Sequence, residues 1–223
     1  MKTIEDLIDK HAGEKALIIC AGSTTREYYT QIVNFIYRER PFIIGINNIT
    51  DFFVPDYHLW TNTKRFRNFG HKIRKSNILL GSGIPLKIIK ETIGHRKYTL
   101  INFTDMKEGV PIGYRKGKIL GFYRTAGNLA IMIAHLMGAS EVNIVGMDGH
   151  TFHNYFEVLD GTKDHHCYEE NYTPYSQEVC EKKDTITTGV LTTLRDYGID
   201  LKILTPTVYK DFYRGSSLEN IDE

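Results

Sequence analysis

Short apolar runs separated by amphipathic stretches recur along the chain, and residues 16–34 contain the clearest example. Leu17, Ile18 and Ile19 form a run too short for a helix, which predicts a buried strand. Apolar residues then repeat at helical spacing between positions 28 and 36, which predicts an amphipathic helix. Gly22 and neighbouring hydroxyl residues separate the two elements. Such a strand–turn–helix unit leaves N–H groups at the positive end of a helix dipole, where an anion can bind.

An ordinary βα unit without a ligand has the same pattern, so the turn alone does not decide whether an anion binds there. It contains neither G-x-G-x-x-G nor G-x-x-x-x-G-K-[ST], so the known dinucleotide and P-loop fingerprints are absent. A larger side chain at Gly22 is expected to fill the turn and block a nucleotide.

The same alternation continues along the chain. Strands are predicted at residues 41–46, 55–61, 76–80, 97–103, 141–146 and 200–204, and helices at 86–93, 123–137 and 180–197. Thr125 is predicted to cap the second of these helices. Residues 104–118 are predicted to be a loop, and the aperiodic stretch at about 149–179 a lid-like excursion. Alternating strands and helices indicate a single α/β domain over residues 1–223, a doubly wound, mostly parallel Rossmann-like sheet with an irregular lid.

In such sheets, ligands bind beyond the carboxyl ends of the strands. Small and polar residues cluster at four of these predicted ends. We therefore predict that a nucleotide contacts Ala21, Gly22, Ser23, Thr24, Asn47, Asn48, Asn62, Thr125, Ala126 and Gly127. Arg65 and Arg124 are predicted to contact a phosphate or carboxylate, although a solvated face or a surface ion pair explains them equally well.

Composition narrows the function classes. Hydrophobic residues make up 41% and charged residues 25%, which is typical of a globular protein. The formal net charge is +1, which predicts no strong field for nucleic acid or a membrane surface. No apolar run approaches the length of a membrane span, so we expect a cytoplasmic location. A hydrolase is disfavoured, because no G-x-S-x-G motif exists and Cys20 lies in a predicted buried strand.

Histidines near the predicted lid are the strongest chemical candidates. A histidine can act as general base near neutral pH, and a tyrosine hydroxyl can stabilise a leaving phosphate. We predict His150, His153, Tyr155 and Asp148 as catalytic residues; the alternative is that a polar loop simply carries solvated histidines. A metal site formed by His150, His153 and Asp148, or by His165, His166 and Asp164, is a weaker alternative, and no metal is predicted.

The segment TAGNLAIMIAHLMGASEVNIVGMD, residues 125–148, resembles the helix–strand unit of bacterial family 42 sialyltransferases. The residues around Gly22 and the strand end at Gly45, Asn47 and Asn48 resemble nucleotide-binding elements of the same family. The chain is also similar to a broader Rossmann group that includes flagellin-glycosylation accessory factors and pterin diphosphokinase-like proteins. The motifs cover three short stretches of the sequence.

This resemblance implies a CMP-sugar bound across the strand ends, and a role in bacterial surface glycan biosynthesis. Gly22 and Ser23 would approach the phosphate and ribose. Asn47 or Asn48 would contact the nucleotide, and Thr125 to Gly127 would match the T-S-G on the cytidine side. The family's serine is Ala126 here, and its late general-base histidine has no counterpart between residues 177 and 183.

We therefore predict a glycosyltransferase that uses a nucleotide-activated sugar as substrate and a glycan or sugar as acceptor, without a required cofactor. One alternative is diphosphokinase-type phosphoryl transfer, which needs Mg²⁺ held by Asp51, Asp56 and Asp148. Another is a non-catalytic module that binds nucleotide sugars. A homo-oligomer is compatible with each of these functions, and no nucleic acid partner is expected.

Overall fold

A parallel β-sheet forms the centre of the protein in the computed structural model, which describes residues 2–105, 111–152 and 175–219. In chain order, its eight strands are β1 (Lys2–Thr3), β2 (Lys15–Ile19), β3 (Phe42–Ile46), β4 (Tyr57–Trp60), β5 (Asn77–Gly81), β6 (Tyr98–Ile101), β10 (Glu141–Val145) and β11 (Leu201–Ile203). Their spatial order is β1-β6-β5-β4-β3-β2-β10-β11, and all neighbouring strands run parallel. This confirms the predicted Rossmann-like α/β architecture.

The strand order reverses between β2 and β10. After β2, the chain builds β3 to β6 towards one edge and then returns to place β10 on the other side of β2. Loops at the carboxyl ends of β2 and β10 therefore diverge, which opens a crevice between them. In open α/β sheets, this switch point is where ligands bind.

Helices cover both faces of the sheet. They are α1 (Thr24–Glu27), α2 (Tyr29–Glu39), α3 (Thr63–Phe69), α4 (Leu86–Ile93), α5 (Ala126–Leu136), α6 (Gln177–Asp196) and α7 (Ser216–Glu219), with short 3-10 helices at Ile4–Leu7, Gly70–Lys72 and Lys210–Phe212. The alternation of side chains along β2 separates the two layers. Ala16 and Ile18 pack with α5, whereas Leu17 and Ile19 pack on the opposite face with α2.

The loop predicted at residues 104–118 is wrong in part. A second, three-stranded sheet occupies this region, with the order β7-β9-β8, formed by β7 (Phe103–Asp105), β8 (Gly113–Arg115) and β9 (Lys118–Gly121). Ile119 of β9 is fully buried in the main core. These strands are too short to show a period of their own, so tertiary pairing decides them.

Two helix boundaries differ from the prediction. Helix α5 begins at Ala126, and residues 123–125 of the predicted stretch precede it, because Arg124 has φ +61° and breaks the helical path. Thr125 caps it as predicted. Helix α6 begins at Gln177, since the Ser176 side chain accepts a hydrogen bond from the Val179 amide. Residues 177–179 of the predicted lid are thus helical, and residues 153–174 lie outside the described ranges. Within those ranges, no helix is long and apolar enough to cross a bilayer.

Candidate functional site

A cavity of about 300 Å³ lies beyond the carboxyl ends of β2, β3, β4 and β10, at the switch point. It brings together turns that are distant in sequence. Of the predicted site residues, those lining the cavity are Ala21, Gly22, Asn47, Asn48, Asn62, Arg65, Arg124, Thr125, Ala126, Gly127, Asp148 and His150. Ser23 and Thr24 are not among the lining residues, and His153 and Tyr155 lie outside the described part of the chain.

The turn after β2 is closed by the protein's own groups. The amide of Gly22 donates to the carbonyl of Gly146 at 2.9 Å, and the amide of Thr24 donates to the Asp148 carboxylate at 3.1 Å. The hydroxyls of Ser23 and Thr24 also donate to Asp148. The anion at the start of α1 is therefore an internal carboxylate. Ser23 and Thr24 are thus engaged by Asp148, and their contact with a nucleotide stays a prediction.

Gly22 is required by this closure rather than by a ligand. A Cβ at position 22 would stand 2.3 Å from the Gly146 carbonyl oxygen and 2.6 Å from the Asp148 carboxylate. No side chain fits at these distances without a shift of backbone. A substitution at Gly22 therefore also perturbs the packing of β2 against β10, and its effect on nucleotide binding stays a prediction.

The N-terminus of α5 offers the better anion site. The Thr125 hydroxyl accepts from the Asn128 amide at 3.1 Å, which fixes the first turn. Among the described residues, the amides of Ala126 and Gly127 have no hydrogen-bond acceptor, and both residues line the cavity. Unpaired amides at the start of an eleven-residue helix carry partial positive charge.

Two predicted asparagines have structural roles beside the cavity. Asn47 adopts φ +54°, and its carbonyl accepts from the buried ring of His58. Its side-chain Oδ1 is buried and has no partner within the described structure. Asn62 caps α3 by accepting from the Arg65 amide at 3.0 Å. The rim of the cavity on this side is therefore held by short-range caps, which local sequence patterns can predict.

His150 is held by a carboxylate that the sequence reading missed. Asp184 of α6 accepts from the His150 ring Nδ1 at 3.3 Å and from the His150 amide at 2.7 Å. Thr151 donates to it through both its amide and its hydroxyl, and Tyr209 through its hydroxyl at 3.0 Å. Burial alone would raise the pKa of Asp184, but the hydrogen bonds from His150 and Thr151 lower it below its ordinary value.

The consequence for His150 is a defined tautomer. Because Nδ1 donates to an ionised carboxylate, Nε2 is the ring nitrogen with the lone pair, and it is the one that can accept a proton. A signal for Asp184 did exist in the sequence. It sits on the buried stripe of α6 between Cys180 and Leu191, where an acid is rare unless it is paired.

The cavity lining is positive overall. Arg65, Arg124 and Lys183 carry its cationic groups, and the carboxylate of Asp148 is taken up by the turn after β2. The Lys183 ammonium lies 3.2 Å from the ring centroid of Tyr175, another lining residue. This excess of cations suits a phosphorylated ligand. Tyr175 lacked a sequence signal because it lies in the predicted lid, and Lys183 lies in the predicted helix at 180–197, whose pattern alone does not place it at a cavity.

The sequence disfavours two chemistries, a metal site and a cysteine nucleophile, and the metal candidates His153, Asp164, His165 and His166 lie outside the described residues. No group of three or more His, Cys, Asp or Glu side chains in the described ranges is placed to hold a metal ion. Burial and the nearby Asp148 charge raise the pKa of the Cys20 thiol to about 12. Cys20 therefore stays protonated, as expected for a core residue and unlike a nucleophile.

Comparison of the chain with protein-family models found no match, and a search of curated proteins found none either. The likeness to family 42 sialyltransferases thus rests on the short stretches of sequence given above. The fold and the geometry of the cavity carry the functional argument.

Proposed function

We propose that the protein is a glycosyltransferase that binds a nucleotide-activated sugar in the switch-point cavity. One observation carries the proposal: His150, whose ring contacts Asp184, and the N-terminus of α5 border the same cavity. A base and an anion site at one cavity are what transfer from a sugar nucleotide requires. The resemblance favours a CMP-sugar as donor.

The phosphate of the donor would bind at the amides of Ala126 and Gly127. These two groups have no acceptor of their own in the described structure, and the helix dipole favours a negative charge there. Arg124 precedes the cap and lines the same wall. A cavity of about 300 Å³ lies at the lower end of the range for small-molecule sites, which fits a site that holds one nucleotide sugar.

The proposed transfer exchanges one bond at the anomeric carbon of the sugar for another. The bond between the anomeric carbon and the phosphate oxygen breaks, and its electron pair leaves with the nucleotide. The acceptor hydroxyl oxygen bonds to the anomeric carbon, and its proton passes to Nε2 of His150. Asp184 keeps the Nδ1 proton in place and stabilises the imidazolium that forms, which is the role of the acid in a His–Asp pair.

The diphosphokinase alternative has less support in the geometry. Its three carboxylates have separate partners. Asp51 pairs with Lys72 at 2.9 Å, Asp56 accepts from the Ile43 amide at 2.8 Å, and Asp148 holds the turn after β2. Phosphoryl transfer would need these groups, or other carboxylates, to converge on Mg²⁺.

Ligand binding provides the first test. Thermal unfolding in the presence of CMP, CDP, UDP, GDP or ATP with Mg²⁺ compares the donor classes directly. A ligand present at about 100 times its Kd stabilises the folded protein by about 2.7 kcal/mol. A shift with CMP alone supports the proposal, whereas a shift only with ATP and Mg²⁺ favours phosphoryl transfer.

Turnover provides the second test. His150→Ala should lower the release of CMP from a CMP-sugar in the presence of acceptor by about 10² to 10⁴-fold, the usual value of a general base. CMP affinity should stay within a few-fold, because the phosphate site is at α5. His95→Ala, which alters an exposed histidine remote from the cavity, is the matched control. Unchanged turnover in His150→Ala removes His150 from the mechanism. CMP binding without release by the wild type indicates a non-catalytic module.

A further inference from the structure

Positive charge is unevenly distributed along this chain. The whole sequence has 28 Lys and Arg against 27 Asp and Glu, which gives a net charge of +1. Positions 64–97 contain ten Lys and Arg but a single acid, Glu91. The whole-chain balance predicts no strong electrostatic field, and it conceals a local one.

The structure places the two helices of this basic segment side by side. Helices α3 and α4 cover the same face of the sheet, because Phe66 of α3 and Ile88 of α4 bury into one cluster around Trp60. Their opposite sides face solvent. The Arg96 guanidinium donates to the carbonyls of Ile73 and Arg74 at 2.6 Å each, which ties the loops before β5 and β6 together.

We call the solvent side of α3 and α4, with the loops that lead from them to β5 and β6, the basic face, and its six exposed cations are Lys64, Arg67, Arg74, Lys75, Lys90 and Lys97. None of them has an acidic partner among the described residues. Neighbouring cations do have one, as Lys72 does in Asp51 and Lys87 in Glu91. Like charges on one surface repel each other, so an anionic partner would relieve this repulsion.

An exposed apolar side chain lies on the same side of α4 as one of these cations. Leu86, the first residue of α4, is 57% exposed. It lies four residues before Lys90 and therefore on the same side of the helix. Cations beside an exposed leucine suit a surface that rests on an anionic bilayer, with charges at the headgroups and the leucine at the acyl boundary. A soluble polyanion would engage the cations but not the leucine.

We propose that the basic face docks on an anionic lipid surface. Arg65 lies in the first turn of α3 and also lines the switch-point cavity, so docking brings the cavity mouth close to the bilayer. An acceptor carried on a lipid would then reach the site without leaving the membrane. The docking itself does not depend on the proposed reaction, and it is tested separately.

Vesicle co-sedimentation of the full chain tests the proposal. Vesicles of phosphatidylcholine mixed with phosphatidylglycerol should bind the protein, and phosphatidylcholine alone should not. The triple variant Lys64→Gln, Arg67→Gln and Lys90→Gln should bind about 100-fold more weakly, since each basic residue near such a surface contributes roughly five-fold. Binding should also fall sharply at ~1 M salt, where the Debye length is about 3 Å.

The control removes the same charge elsewhere. Arg26, Arg115 and Lys182 are exposed residues outside the basic face, and their triple change to Gln should leave vesicle binding within about two-fold, because charges beyond a Debye length are screened. Leu86→Ser should weaken vesicle binding a few-fold and leave binding to a soluble DNA duplex unchanged, because only a bilayer takes up the apolar side chain.

Three outcomes would overturn the proposal. These are equal binding to both vesicle types, equal losses in the two triple variants, and DNA binding that outcompetes the vesicles with no effect of Leu86. CMP-dependent stabilisation of the basic-face variant is measured in parallel. Stabilisation by CMP in a variant that no longer binds vesicles shows that the nucleotide site is independent of docking. Vesicle binding without stabilisation by CMP would count against the proposed function and leave the docking proposal standing.

Discussion

Replacement of Asp184 by asparagine tests how the candidate site is held together. The Asp184 residue is 7% exposed, and its carboxylate accepts hydrogen bonds from His150, Thr151 and Tyr209. Asparagine has the same shape but offers one acceptor oxygen and one NH₂ group. The Thr151 hydroxyl can rotate to accept from that group. A backbone amide cannot, so Asp184→Asn leaves either the Thr151 or the His150 amide unpaired.

The magnitude follows from these contacts. A buried donor that loses its acceptor costs about 1–3 kcal/mol, and hydrogen bonds to a charged group are stronger than those to a neutral one by about 1 kcal/mol. We therefore expect Asp184→Asn to lower the free energy of unfolding by about 2–4 kcal/mol at pH 7. Asp196→Asn, at an exposed position of the same helix, should change it by less than about 0.5 kcal/mol.

The pH dependence has a defined sign. The pKa of Asp184 is lower in the folded protein than its ordinary value. Its ionisation therefore stabilises the fold above the unfolded pKa of about 3.9, and this contribution is lost as the pH falls through the folded pKa. The difference between wild type and Asp184→Asn should shrink below about pH 4, because the wild-type carboxyl then becomes protonated as well.

Urea unfolding of both variants at pH 7 and at acid pH measures these quantities. Long-range ¹⁵N–¹H correlation reports the tautomer of His150 directly. If the role of Asp184 were purely structural, the tautomer would be the same in the wild type and in Asp184→Asn. We expect Nδ1–H in the wild type and a shift towards Nε2–H in Asp184→Asn. A loss of less than about 0.5 kcal/mol at pH 7 would refute the reasoning on stability. An unchanged tautomer would refute the positioning role.

Two further predictions concern packing and a buried base. Gly22→Ala should lower the free energy of unfolding by about 1–3 kcal/mol, because its Cβ would stand 2.3 Å from the Gly146 carbonyl oxygen; Gly83→Ala, with nothing within 4 Å, is the control, and equal urea midpoints would contradict the steric argument. Burial lowers the pKa of His58 to about 4, so its ring should stay neutral in NMR titrations from pH 8 to 5. The fold should lose stability as the pH falls from about 6.5 to 4, because only the unfolded chain takes up a proton at His58 in this range. Titration of His58 near pH 6.5 would contradict this prediction.

Local sequence patterns determined most of the framework. The apolar runs that became β2, β3 and β10, the amphipathic pattern of α4, and the Thr125 cap all act over a few residues. Because parallel strands end at a common edge, the sequence also located the polar turns that line the switch-point cavity. Gly22, Thr125 and His150, which line that cavity, are all candidate site residues from the sequence alone.

Tertiary structure decided what those residues do. Asp148 and Asp184 look alike in the sequence, yet one closes the turn after β2 and the other holds the His150 ring, because each meets donors that are far away along the chain. The short strands β7 to β9 have no period of their own, so only pairing across the chain fixes them. The basic face depends on both, since residues 64–97 already group its charges in the sequence and the packing of α3 and α4 in one layer brings the two helices side by side. Contacts between residues distant in sequence are set by the global fold, and no local pattern encodes them.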